Sequence, residues 1–134
     1  MGCVQRVGEG KAEYKLLEQN LKGHSRMILD AAWAPGEGKV FATAGREKTV
    51  KIWARDDAGF TCKTTITEEH PVTAVDFMDA LMGDGKAYLA VGTEVGRLRI
   101  YAVDVKGDYS ATEVEVAYSK YVHLLTLNRA YTDK

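Results

Sequence analysis

The residues best suited to chemistry in this 134-residue chain are three histidines, two cysteines and two glycine-containing turns, and none is spaced for a reaction. His24, His70 and His123 stand 46 and 53 residues apart, and form no ligand set of the zinc type, whose donors come in short local pairs. Cys3 and Cys62 lack a C-x-x-C spacing and fall in unrelated contexts, so both are expected to be reduced thiols in an intracellular protein. No nucleophile signature surrounds Cys62. Gly83-Asp84-Gly85 and Glu94-Val95-Gly96 are turn formers; neither is followed by the Gly-Lys-Ser/Thr run of a phosphate loop. No catalytic residue, no metal ligand and no cofactor site is expected, and the chain is expected not to be an enzyme.

Charge and composition narrow the classes further. Apolar residues make up 46% and charged residues 28%, values of a soluble globular chain. With 18 basic against 19 acidic side chains the net charge is -1, without the clustered excess of Lys and Arg that marks a nucleic-acid surface. Direct nucleic-acid binding is therefore not indicated. No stretch approaches the ~18 uninterrupted apolar residues of a membrane span. Met1 to Lys15 holds no continuous apolar segment, so no secretory signal is expected, and the default location is cytoplasmic or nuclear. The opening Met1-Gly2-Cys3 raises acylation of Gly2 and Cys3, against which Arg6 stands where the myristoylation pattern takes Ser or Thr.

The elements that must position these side chains are short strands. Residues 1–11 are Gly-rich and aperiodic and are expected to be a poorly ordered lead-in; 12–22 reads as an outer strand delivering the chain to Gly23-His24. Met27 to Trp33 is apolar and stops at Ala34-Pro35-Gly36-Glu37-Gly38. Val40 to Gly45 is a buried-looking strand, and Arg46-Glu47-Lys48 a tight connection. Thr49 to Trp53 alternates in period two, with Val50 and Ile52 on one face. Asp56 to Gly59 is a turn, and Phe60 to Thr67 a fourth strand rich in threonine.

A second copy follows. Val72 to Phe77 matches Leu29 to Trp33, Tyr88 to Gly92 matches Val40 to Ala44, and Arg97 to Tyr101 matches Thr49 to Trp53. The offset is 44 at the first aromatic pair and 48 at the second, which places four extra residues in the turn Met82-Gly83-Asp84-Gly85. Thr112 to Ala117 is expected to complete this unit, and Val122 to Leu127 begins another apolar run. A period of this length fits the ~40–45 residues of a four-stranded blade and is too long for ankyrin or TPR units. The expected fold is all-β: a partial β-propeller of about two four-stranded antiparallel blades plus flanking strands. The expected division is 1–11, 12–22, a first blade over 23–67, a second over 68–118, and a tail or further blade over 119–134. Rings close with four to eight blades, so the chain is expected to be part of a larger propeller.

At Gly23-His24 and Lys48-Thr49-Val50-Lys51-Ile52-Trp53 the chain resembles the WD-repeat family. The resemblance implies a hydrogen-bonded set of His24, Thr43 and Trp53, with Glu47 at the position where the family has Asp. Ala54 follows Trp53 where the family has Asp, and the second unit departs further, with Glu69-His70 for Gly-His, Val95 for the turn Asp and Tyr101 for Trp. A narrower resemblance, over roughly residues 14–105, is to the carboxy-terminal propeller of the second subunit of the Elongator complex, carried by Leu21 to Ile28, Phe41 to Trp53, Pro71 to Phe77 and Leu89 to Gly92 together. It implies a non-catalytic scaffold in an assembly that modifies wobble uridines in tRNA, with other protein subunits as partners and the chemistry elsewhere.

Within that frame His24 is expected to be an interior histidine bonded to its neighbours rather than a metal ligand or base. Trp33, Trp53, Phe77 and Tyr101 are expected to be core aromatics. Arg26, Arg46, Glu94 and Arg97 lie in or beside connecting loops and are the candidate partner contacts. Two alternatives stand beside the Elongator-like scaffold. One is a different WD-repeat adaptor, of the chromatin or ubiquitin-ligase kind; the other is an enzyme in a propeller channel, which would need convergent carboxylates or histidines.

Overall fold

The structure is a computed structural model that describes residues 23–115 together with the strands Gly2–Val7 and Glu13–Gln19. Among the described residues every helix or strand is a strand, ten in all. β1 (Gly2–Val7) and β2 (Glu13–Gln19) pair antiparallel in a sheet of their own. Over Gly2–Val7 this corrects the expectation of a poorly ordered lead-in at 1–11. Alternation is weak there, but backbone pairing to β2 needs no apolar period. β2 lies inside the strand expected over 12–22.

β3 (Ile28–Trp33), β4 (Val40–Gly45), β5 (Thr49–Asp56) and β6 (Gly59–Thr67) form a four-stranded antiparallel meander. β7 (Val72–Phe77), β8 (Ala87–Thr93), β9 (Leu98–Val103) and β10 (Ala111–Glu113) form a second one in the same order. The all-β, partial propeller architecture is thus present. β10 is short, and the stretch 116–134, where a strand end and a further unit were expected, lies outside the described residues.

Turn chemistry sets the strand ends. Asp56 and Gly59 face each other across a two-residue hairpin; Gly59 takes φ 110° and Ala58 N–H donates to Asp56 Oδ1 at 2.9 Å. The β4–β5 and β8–β9 turns need a left-handed residue at the same place. Gly96 supplies it with φ 81°, whereas the first sheet uses Lys48 at φ 75°.

Period two then sorts the faces. Ala42, Ala44, Val50, Ile52 and Ala54 point to the second sheet and join Val72, Val75, Leu89, Val91 and Val103 in one buried cluster. The alanines let the sheets approach, and polar bonds cross the seam: Val75 N–H donates to Asp30 Oδ2 at 3.0 Å and Thr64 Oγ1–H to the Tyr109 carbonyl. The opposite face of the first sheet carries Phe41, Trp53 and Phe60, with Phe41 stacked on Trp53 at 6.0 Å and 11°.

Trp33 departs from its expected core place and is 51% exposed. It sits at the end of β3, an edge strand paired only to β4, so its ring meets Phe41 edge-on at 5.1 Å and leaves its outer side to solvent. Trp53, Phe77 and Tyr101 are buried. The hairpin insertion is also visible in the register. Trp33 faces Phe41 but Phe77 faces Leu89, so the β7–β8 connection is four residues longer than its counterpart.

Candidate partner-docking surface

Two polar networks hold the loops of this surface. In the first sheet the Trp53 Nε1–H donates to Thr43 Oγ1 at 2.9 Å, and Thr43 Oγ1 lies 2.5 Å from His24 Nε2. His24 Nδ1 lies 2.7 Å from Glu47 Oε2, which also accepts from Ser25 N–H at 3.2 Å. The assignment consistent with all three contacts runs one way: Trp53 donates to Thr43, Thr43 to Nε2, and Nδ1–H to Glu47 Oε2. Burial works against charge on Glu47, but its own backbone amide, His24 and Thr49 outweigh it and hold the carboxyl below its ordinary value. Two glycines make room. A Cβ on Gly45 would collide with the Glu47 carboxylate and the His24 ring, and one on Gly23 would stand 2.6 Å from the Trp53 ring.

The second sheet reaches the same end by other means. Tyr101 occupies the register place of Trp53, and Val91 that of Thr43, so no hydroxyl awaits the aromatic. Instead Tyr101 Oη–H donates to Glu68 Oε1 at 2.6 Å, while Glu68 Oε2 lies 3.2 Å from an Arg99 terminal nitrogen. Glu68 is buried, and its N–H donates to the Lys48 carbonyl at 2.8 Å, which ties this network to the first sheet's turn. Burial, helped by Glu68, pushes the Tyr101 phenol up to about 12.

These networks sit beneath one rim, formed by the β4–β5 and β8–β9 turns and by the loops entering β3 and β7. Arg26 and Arg46 are exposed there, with Arg46 N–H bonded to the Met27 carbonyl at 2.9 Å; neither makes an ion pair among the described residues. On the neighbouring sheet Glu94 N–H bonds the Pro71 carbonyl at 3.0 Å, and Arg97 pairs with Glu69 at 2.9 Å. All four candidate contact residues therefore share this rim, as two local pairs. Met27 and Val95, 63% and 57% exposed, add apolar area beside them. Arginine and methionine are residue types that protein interfaces enrich. Among the described residues no group of histidine, cysteine and acidic side chains is placed to hold a metal.

Comparison with known proteins agrees with this architecture. The chain is 41% identical over 101 residues to Elongator complex protein 2 of Schizosaccharomyces pombe, covering 74% of this chain and 13% of that protein. It is 38% identical over 95 residues to the protein of that name from Saccharomyces cerevisiae, covering 66% and 12%. It is also 40% identical over 60 residues to a probable cytosolic iron-sulfur protein assembly protein, Ciao1, of Anopheles gambiae, covering 44% and 16%. No family model matches the chain. The chain belongs to the WD-repeat family.

It is an Elongator-related WD-repeat protein, and it spans about an eighth of the length of the Elongator relatives it matches. Glu68 and Arg99 are the residues of this WD-repeat surface that sequence reasoning missed. Their signal was indirect: a buried tyrosine needs an acceptor, and Val91 in place of threonine withdraws the usual one. Met27 and Val95 also escaped notice, because nothing in an alternating pattern marks which apolar residues stay uncovered.

Proposed function

We propose that this WD-repeat protein is a non-catalytic scaffold, part of the second subunit of an Elongator-type assembly that modifies wobble uridines in tRNA. Its location in this role is the cytoplasm, with the nucleus as a second compartment. The similarity to Elongator complex protein 2 of two yeasts, over 74% and 66% of this chain, supports the role. The mechanism is geometric. Two packed sheets hold the β4–β5 and β8–β9 turns at fixed separation, and Arg26, Arg46, Glu94 and Arg97 with Met27 and Val95 present a mixed charged and apolar rim to other subunits.

Affinity purification of the full-length protein tests it, with mass spectrometry of what copurifies. The large first Elongator subunit is expected, and its recovery should fall when Arg26 and Arg46 are both changed to Glu. Recovery of iron-sulfur assembly proteins instead would favour a second assignment, to a different WD-repeat adaptor, for which the 40% identity to Ciao1 is the specific support. Turnover of a substrate by the protein purified away from all partners would remove the scaffold assignment.

A further inference from the structure

The second sheet repeats on its outward side the pattern that closes the seam between the two sheets. Ala42, Ala44, Val50, Ile52 and Ala54 of the first sheet are fully buried where the second sheet lies on them. Register places Ala90, Gly92, Leu98, Ile100 and Ala102 at the same positions of β8 and β9. Small residues again stand on the second strand and aliphatic ones on the third, the arrangement that lets two sheets approach closely. Of this outward set Ile100 is buried and the other four are only half-buried.

The first sheet shows the matching deficit on its far side. Phe77 is 2% exposed because β7 packs on β3, whereas Trp33, at the same register place, is 51% exposed. Val72 and Val75 are buried in the same way, and their counterparts Ile28 and Ala31 are exposed. The Trp33 ring meets Phe41 and Phe60 edge-on, so this stripe continues into the aromatic cluster of that face. One side of the chain thus lacks the kind of sheet face that its other side offers.

We propose that a second copy of this chain covers the stripe, its second sheet lying on the far side of the first sheet as β7 lies on β3 within one chain. Charge agrees with this pairing. The outward side of β7, β8 and β9 carries one charged residue, Asp76, and the far side of β5 carries Lys51 and Arg55. Ala74 stands where Asp30 accepts from Val75 N–H across the seam, so the copied contact lacks that hydrogen bond and is weaker than the internal one. The two faces differ, which makes the contact head-to-tail, and repeating the seam at its own angle closes a ring. Rings of four to eight sheets correspond to about two to four copies. Packing through sheet faces leaves Arg26 and Arg46 on the rim open, and the contact does not depend on which assembly that rim serves.

Analytical ultracentrifugation of the 134-residue chain over a concentration series tests this. A discrete species of about two to four chains is expected. Trp33→Glu, on the far side of the first sheet, and Ala74→Glu, on the outward side of the second, should each weaken association at least about tenfold by placing an unpaired carboxylate in the contact. Both positions are exposed, so both variants keep the fold, which circular dichroism checks. Mixed together, each variant retains the face that the other has lost, and the mixture should form a dimer that grows no further, because its remaining faces both carry the new negative charge. A chain that stays monomeric at every concentration, association without a limiting size, unaltered association in both variants, or a mixture that remains monomeric would each overturn the proposal.

Discussion

The Tyr101 hydroxyl donates to Glu68 Oε1 at 2.6 Å, in the second sheet's counterpart of the place where Trp53 donates to Thr43 at 2.9 Å. Two sheets of one repeat thus solve one problem, a buried aromatic donor, with different acceptors. In the first the acceptor is a hydroxyl on the neighbouring strand. In the second it is a carboxylate brought in by the loop before β7, and the charge it introduces is matched by Arg99.

Removing that carboxylate should therefore be costly. Glu68→Ala leaves the Tyr101 hydroxyl without its acceptor and leaves Arg99 with Glu113, 3.7 Å away, as its remaining ion-pair carboxylate. A loss of about 2–3 kcal/mol is expected, and Tyr101→Phe should lose about 1–2 kcal/mol. Urea unfolding of the single and double variants checks both, with a coupling of at least ~1 kcal/mol expected. Strict additivity would show that the 2.6 Å contact contributes nothing of its own.

In the first sheet the shared atom is Thr43 Oγ1, which serves both Trp53 and His24. Thr43→Val should cost about 2 kcal/mol in the same assay, since two buried polar groups lose their partner, whereas Thr43→Ser should retain most of the stability. No loss in Thr43→Val together with a clear loss in Thr43→Ser would assign the effect to the methyl group instead.

Backbone conformation gives a prediction of opposite sign. Lys48 holds φ 75° where the second sheet uses Gly96 at 81°. Lys48→Gly should raise stability by up to about 1 kcal/mol by relieving the left-handed conformation. Gly45→Ala should destabilise by about 2 kcal/mol or more, because Glu47 and His24 fill the space its Cβ needs. Thermal melts of the two variants should move in opposite directions.

The sign of the acid response follows from Glu47. Its carboxyl is held below the ordinary 4.5, so the folded state gives up that proton more readily than the unfolded chain. The resulting stability is present above pH 4.5 and drains away as pH falls through the folded-state value. The advantage of the native chain over Glu47→Gln should accordingly shrink as pH falls below 4.5, followed by urea midpoints. Asp56 and Asp108 are also held low, but they are common to both proteins and cancel in the difference. A difference that stays constant across this range would rule out the Glu47 linkage.

Much of the architecture was legible before any coordinates. Alternation in Thr49 to Trp53, the turn residues at Asp56 to Gly59 and the repeated order of strands define two four-stranded units, and the offset between them locates the longer hairpin. The four loop residues Arg26, Arg46, Glu94 and Arg97 followed from strand ends alone. Trp33 was misplaced because an aromatic at the end of a strand looks the same whether that strand is central or at an edge.

By itself the amino-acid order determined the units, their turns and their inward faces, since side-chain alternation and glycine placement act over a few residues. Only the tertiary structure decided that Glu68 meets Tyr101 and Arg99, and that the four loop residues share a rim. The reason is physical: those contacts join residues of different strands and sheets, and their distances depend on how two sheets pack, which no local pattern encodes.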